Sequence, residues 1–231
     1  MIRDGDYVLV NYDEFLDEEG ISGDSSYLSA MICRPVIYTK YSLNPVSERV
    51  TVDADSNPDI STLLYIGEAI GDGSSDAFPA DYNIIDGIDL TGSALGGGIH
   101  LQSSSFNIIK SSKIYNLNGA GIHVNGNSDH PSHYNLISGN EIFNTASEGI
   151  YIGNAGFPAI NNQAHYTHLL NNEIYSSGSG SEYFFENAVD ISEFNKGTFL
   201  QGNFIHDIDL ITEDNGAVCI HEQGNIPRPL S

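Results

Sequence analysis

Short apolar triplets recur along this chain, each split by one polar or aromatic residue. One series reads GIHL from Gly98, GIHV from Gly121, GIYI from Gly149, AVDI from Ala188 and AVCI from Ala217. A second reads NIIKSSKI from Asn107, NLISGNEI from Asn135, THLLNNEI from Thr167 and TFLQGNFI from Thr198. The two series alternate, and members of the first follow one another after 23, 28, 39 and 29 residues. Alternation with period two predicts short strands rather than amphipathic helices. Self-similarity at this length predicts a stack of repeats. Three apolar columns are expected to face inward. The first runs through Ile99, Leu101, Ile122, Val124, Ile150, Ile152, Val189 and Ile191, the second through Ile109, Ile137, Leu169 and Leu200, the third through Ile114, Ile142, Ile174 and Ile205. Three columns separated by turns describe a coil of three short strands, stacked in parallel on its neighbours. Ser112, Asn140, Asn172 and Asn203 share one turn between the second and third columns. They predict an internal polar ladder, or a turn that uses the left-handed tolerance of asparagine.

The segments GIYIGN with LLNNEIY, and AVDISEFNKGTFLQGNFIHD, resemble rungs of the right-handed parallel β-helix superfamily that includes pectate lyases. IRDGDYVLVNYDEF resembles the leading segment of such proteins, and RPVIYTKYSLNPVSERVTVDAD their first irregular coil. The resemblance covers nearly the whole chain. It implies an all-β fold: a single-stranded right-handed parallel β-helix of eight or fewer coils. The expected division is an N-terminal cap and irregular first coil over residues 1–60, then continuous rungs over residues 61–231. The last rung, GAVCIHEQGN, predicts an open end. Self-association there, a tail that folds back, or a continuing chain are the alternatives.

Composition narrows the partners. The chain has 231 residues, 24 of them glycine, and a formal charge of −23 with only eight lysines and arginines. Such a surface repels nucleic acid and anionic membranes. It also repels an acidic polysaccharide unless a cation such as Ca²⁺ intervenes. Cys33 and Cys219 fit no metal spacing and read as free thiols. No apolar run is long enough to span a bilayer, so no membrane insertion is expected. No signal peptide is visible; a secreted or cell-surface location follows from the resemblance.

Candidate chemistry sits between the inward residues. In GIHL the isoleucine and leucine face in, so the histidine faces out. The outward column reads His100, His123, Tyr151, Asp190, Cys219, and the next outward slot reads Gln102, Asn125, Gly153, Ser192, His221. Rung length varies on both flanks of this strand, so loops are expected to wall a groove over it. Tyr166 and Tyr183 in those loops offer aromatic surface to sugars. His123 and Tyr151 are read as the acid–base pair, with Asp190 orienting a hydroxyl or holding a cation, and His100, Gln102, Asn125 and His221 as substrate contacts. Asp190, Glu193 and Glu186 are the expected Ca²⁺ ligands. His100 and His123 on adjacent rungs could also share a metal, although no third ligand is fixed by spacing. In uronate lyases of this superfamily a lysine or arginine often serves as base. The resemblance therefore points to Lys196, the only lysine or arginine between Lys113 and Arg228. His130, His133, His165 and His168 fall in or near the insertions and carry less weight. These features favour a carbohydrate-active protein, with a polysaccharide lyase on a uronate polymer preferred to a glycoside hydrolase. The alternative is a non-catalytic polysaccharide-binding, cell-surface or spike protein of the same fold.

Overall fold

A computed structural model describes residues 2–3, 5–8, 30–32, 37–41, 50–54, 60–67, 80–92, 97–127, 130–153, 163–178, 187–192, 195–208 and 216–220. For those before residue 50 it describes the backbone alone. The described residues contain strands and turns and no helix.

Each coil contributes one strand to each of three sheets. A representative coil runs Ile108–Lys110, then Lys113–Leu117, then Ile122–Asn125. Each sheet holds seven strands taken every third strand along the chain, and every pairing is parallel. That is the topology of a parallel β-helix of seven coils. Strands before residue 60 already join these sheets. Gly5–Val8 pairs with Val50–Asp53, which pairs in turn with Ile88–Thr91.

The inward columns are buried in the predicted register. Ile122, Ile150, Ile114, Ile142, Ile109 and Ile137 have no accessible surface, and Val189 has 1%. Equivalent residues stack one above the next: Ile122 pairs with Ile99 on one side and Ile150 on the other. A one-residue slip would turn all of them out to solvent, which is why the alternation specifies the register so strongly. Toward the C-terminal end the ladder loses its cover. Val218 and Ile220, stacked on Val189 and Ile191, are 40% and 63% exposed.

Glycine opens three of the triplets for a steric reason. A Cβ on Gly98 would lie 2.6 Å from the Gly121 carbonyl oxygen, and one on Gly121 would lie 2.6 Å from that of Gly149. The coils approach too closely here for any side chain until Ala188 takes the slot in a later coil.

The polar ladder also forms. The Asn140 backbone N–H and Nδ2 both donate to Asn172 Oδ1, at 3.1 and 3.0 Å, and Asn172 repeats the pattern onto Asn203 Oδ1 at 2.9 and 3.0 Å. The Ser112 N–H donates to Asn140 Oδ1 at 3.1 Å. A second ladder lies at the turn from the third sheet into the first. There Asn83 donates twice to Asn107 Oδ1, and Asn107 twice to Asn135 Oδ1. Paired buried amides remove the desolvation cost that an unpaired amide would carry.

Candidate functional site

The third sheet carries the outward column. Its strands are Ala30–Ile32, Thr62–Gly67, Gly97–Gln102, Ile122–Asn125, Ile150–Ile152, Val189–Ile191 and Val218–Ile220. Register places Tyr65, His100, His123, Tyr151, Asp190 and Cys219 on successive coils. The rings form one stack. His100 lies 4.3 Å from His123 and His123 lies 4.7 Å from Tyr151, centroid to centroid, with planes within 17° of parallel. Tyr65 meets His100 edge-on at 5.0 Å.

Both imidazoles are half-buried, and their surroundings hold them neutral. Burial pushes His123 down to about 4, against a weaker pull upward from its bond to the Gly153 carbonyl. His100 is pushed well below the ordinary value, first by burial and then by the neighbouring His123, while Gln102 pulls it up. The Gly153 oxygen lies 2.6 Å from His123 Nε2. A carbonyl can only accept, so Nε2 carries the proton and Nδ1 holds the lone pair. His100 Nε2 is enclosed and makes no hydrogen bond among the described residues.

Tyr151 is driven the other way. Burial pushes its phenol up to about 12, a hydrogen bond with Ser192 opposes the shift, and the Asp190 and Glu148 carboxylates reinforce it. The expected acid–base pair is thus one in which both groups stay neutral across a wide pH range. Asp190 is buried, 4% exposed, and its Oδ2 accepts from Asn187 Nδ2 at 2.9 Å.

Gln102 and Asn125 lie side by side in the next outward slot, as their register requires. Both are buried, and Asn125 Nδ2 donates to Gln102 Oε1 at 3.1 Å. They brace each other beneath the surface.

Lys196 and Tyr166 stand elsewhere. They belong to the turn that leads from the third sheet into the first. The Lys196 N–H donates to His165 Nδ1 at 3.2 Å, and the Tyr166 N–H donates to the Lys196 carbonyl at 2.7 Å. Tyr166 stacks on Tyr134 at 5.0 Å. Four aromatic residues occupy this same slot, Tyr82, Phe106, Tyr134 and Tyr166. The signal for them was present in DYNIID, SFNIIK, HYNLIS and HYTHLL, where an aromatic repeatedly precedes the strand.

His221, Tyr183, Glu186 and Glu193 lie outside the described residues, as do the loop segments 154–162, 179–186 and 209–215 that were expected to wall the groove. Among the described residues no group of three histidine, cysteine, aspartate or glutamate side chains converges on a point that could hold a metal. Of the expected Ca²⁺ ligands only Asp190 falls within the described residues, and its Oδ2 accepts a hydrogen bond.

No family model matches the chain, and no curated protein matches it. The structure is similar to the crystal structure of an alginate lyase from Paenibacillus sp. strain FPU-7, with a TM-score of 0.51 and 20% identity, over 77% of this chain and 56% of that one. The fold is a parallel β-helix. This β-helix spans little more than half the length of that lyase, and at such identity the likeness concerns architecture.

Proposed function

We propose that the protein acts on a uronate-containing polysaccharide and cleaves it by β-elimination at the His123–Tyr151 pair. The observation that carries this reading is the pairing itself. A neutral imidazole with a free Nδ1 stacks 4.7 Å from a phenol that keeps its proton. The similarity in fold to an alginate lyase supports the choice of reaction class.

In this mechanism His123 Nδ1 takes the proton from the carbon next to the uronate carboxylate. The neighbouring carbon–oxygen bond to the departing sugar breaks and a carbon–carbon double bond forms. The Tyr151 hydroxyl gives its proton to the departing oxygen. At rest His123 is a weak base. A uronate carboxylate within about 4–6 Å favours the imidazolium and restores basicity, so the substrate tunes its own base. Asp190, one coil on, orients a ring hydroxyl.

His123→Ala and Tyr151→Phe should each lower turnover by roughly 10²-fold or more, the usual worth of a general acid or base. The readout is the ultraviolet absorbance of the unsaturated product from alginate and polygalacturonate. Parent-like turnover in both folded variants sinks the assignment.

The second reading is a non-catalytic polysaccharide-binding protein. The mutual hydrogen bond of buried Gln102 and Asn125 favours it, because those groups serve each other. In that case the parent binds the polymer and no unsaturated product appears.

A further inference from the structure

The turns leading into the first sheet carry a line of side chains that this chemistry leaves unused. Tyr82, Phe106, Tyr134 and Tyr166 stack on four successive coils, with centroids 5.0, 5.4 and 5.0 Å apart and planes within 16° of parallel. Each takes left-handed backbone, with φ of 64°, 59°, 55° and 57°. That conformation costs an ordinary residue roughly 1–2 kcal/mol. The turn between the first and second sheets fills its left-handed slot with Gly87, Ser111, Gly139, Asn171 and Gly202 instead. Ring stacking at about 0.5–1.5 kcal/mol per pair offsets part of the strain. It does not account for where the rings end up, which is in solvent: they are 60%, 43%, 51% and 39% exposed.

Stacking hides the faces of these rings and presents their edges. A ring edge is the positive rim of the quadrupole, and three of the four edges end in a phenolic hydroxyl. Such a row suits oxygen-rich, anionic material. The distribution of charge agrees. The chain carries −23 overall, yet residues 104–110, 132–138, 163–170 and 195–201, the coils of Phe106, Tyr134 and Tyr166 and the next one on, contain no aspartate or glutamate; the acidic residues of this face, Asp81 and Asp86, flank Tyr82 at the far end. Those four segments contain two lysines and three histidines. Lys110 is tied to Asp86 at 3.2 Å. Lys196 is exposed and makes no ion pair among the described residues. It stands at the end of the row, beside Gly197, where an added Cβ would come within 2.4 Å of the Tyr166 ring. Alongside, His133 stacks on His165 at 5.0 Å, and its enclosed Nε2 has no hydrogen-bond partner among the described residues.

We propose that this edge of the β-helix is a second binding strip, holding an acidic polysaccharide chain lengthwise along the helix axis, with Lys196 on a carboxylate and the tyrosine edges on ring and carboxylate oxygens. The shape of the strip selects a linear occupant. The row is about 15 Å long and one side chain wide, whereas a stable protein interface buries about 800 Å² on each partner. The strip shares its ligand class with the lyase reading but none of its catalytic groups.

The test is binding of alginate and polygalacturonate chains, with a neutral β-glucan as control, measured by titration calorimetry at low and moderate salt. Tyr134→Gly removes one ring while keeping the left-handed backbone; Lys196→Gln removes the charge at an exposed turn. Each should weaken polyuronate binding about tenfold, in line with losing one charge-assisted or buried polar contact. Binding should fall with salt, and the glucan should not be held. Parent-like affinity in folded Tyr134→Gly and Lys196→Gln proteins, with binding lost in His123→Ala, overturns the strip and places the polymer on the His123 column alone. Lys196→Gln decides the matter should Tyr134→Gly fail to fold. A parent that binds neither polyanion also overturns the strip, and product formation in the absorbance assay then keeps the lyase reading alive. Binding that is lost in the strip variants, from a parent that forms no product, upholds the strip and ends the lyase reading.

Discussion

His123 takes its chemical identity from one carbonyl. With the proton held on Nε2 by Gly153, the ring offers a bare Nδ1, and burial keeps it bare down to about 4. Proton NMR of the ring should show no titration between pH 7 and 5. The linkage to stability has a definite sign. Below 6.5 the unfolded chain protonates this histidine while the folded chain does not, so the unfolded state binds more protons and stability falls as pH drops toward 4. His100 acts in the same sense. A melting series from pH 7 to 4 should therefore slope downward, and His100→Asn with His123→Asn should flatten it. His206 has the opposite sign. Its two nitrogens meet Asp207 at 2.9 Å and Glu173 at 3.3 Å, and these bonds, Asp207 first, raise its value. Its contribution is complete below 6.5 and is lost as pH rises through the raised value. Amide exchange in Phe204–His206 should quicken across that upper window in the parent, and His206→Gln should abolish the dependence.

Among the elements, the asparagine ladder makes the sharpest prediction. Asn140 accepts from Ser112 and donates to Asn172 and to the Ile109 carbonyl, all within the interior. Asn140→Ala leaves buried partners unmet, and urea unfolding should show a loss on the order of 2–4 kcal/mol. This ladder and the inward columns were legible in the sequence, because identical slots on successive coils must stack and alternation specifies which way each residue points. The column from His100 to Cys219 was legible for the same reason. Its chemistry was not. An outward-facing slot says nothing of what covers it laterally, and Gln102, Asn125 and Asp190 proved buried. The second ladder of Asn83, Asn107 and Asn135 hid in plain view, since asparagine before a strand also reads as an ordinary turn residue. The aromatic row showed as a repeated aromatic before the strand; its left-handed backbone did not, because tyrosine and phenylalanine are not what such a turn leads one to expect. Lys196 carried no spacing signal: one cation in a turn fixes no distance to a strand.

The molecule as a whole is governed by its charge. At −23, carboxylates repel across a stack only one coil wide, and salt should relieve that. Melting temperature should rise by roughly several degrees from low to physiological ionic strength, a shift that corresponds to about 1 kcal/mol or more in a chain this size. If Asp190, Glu193 and Glu186 hold Ca²⁺ as the sequence leads one to expect, CaCl₂ should raise the melting temperature more than NaCl at matched ionic strength in scanning calorimetry, and EDTA should reverse the difference. Equal stabilisation by the two salts would sink the site. The asparagine ladder also has a genetic meaning. Ser112 and Asn140 hold the same slot on coils 28 residues apart, and each rung meets its neighbour through equivalent slots: this ladder, the second asparagine ladder, the aliphatic columns and the strand pairing. Excising residues 112–139 would join Ser111 directly to Asn140, bring Asn140 into the slot of Ser112, and leave a coherent fold one storey shorter. A deletion of half that length would scramble every storey above it. Lineages of this protein should therefore lengthen and shorten in whole turns, so that the reading frame its evolution respects is the coil.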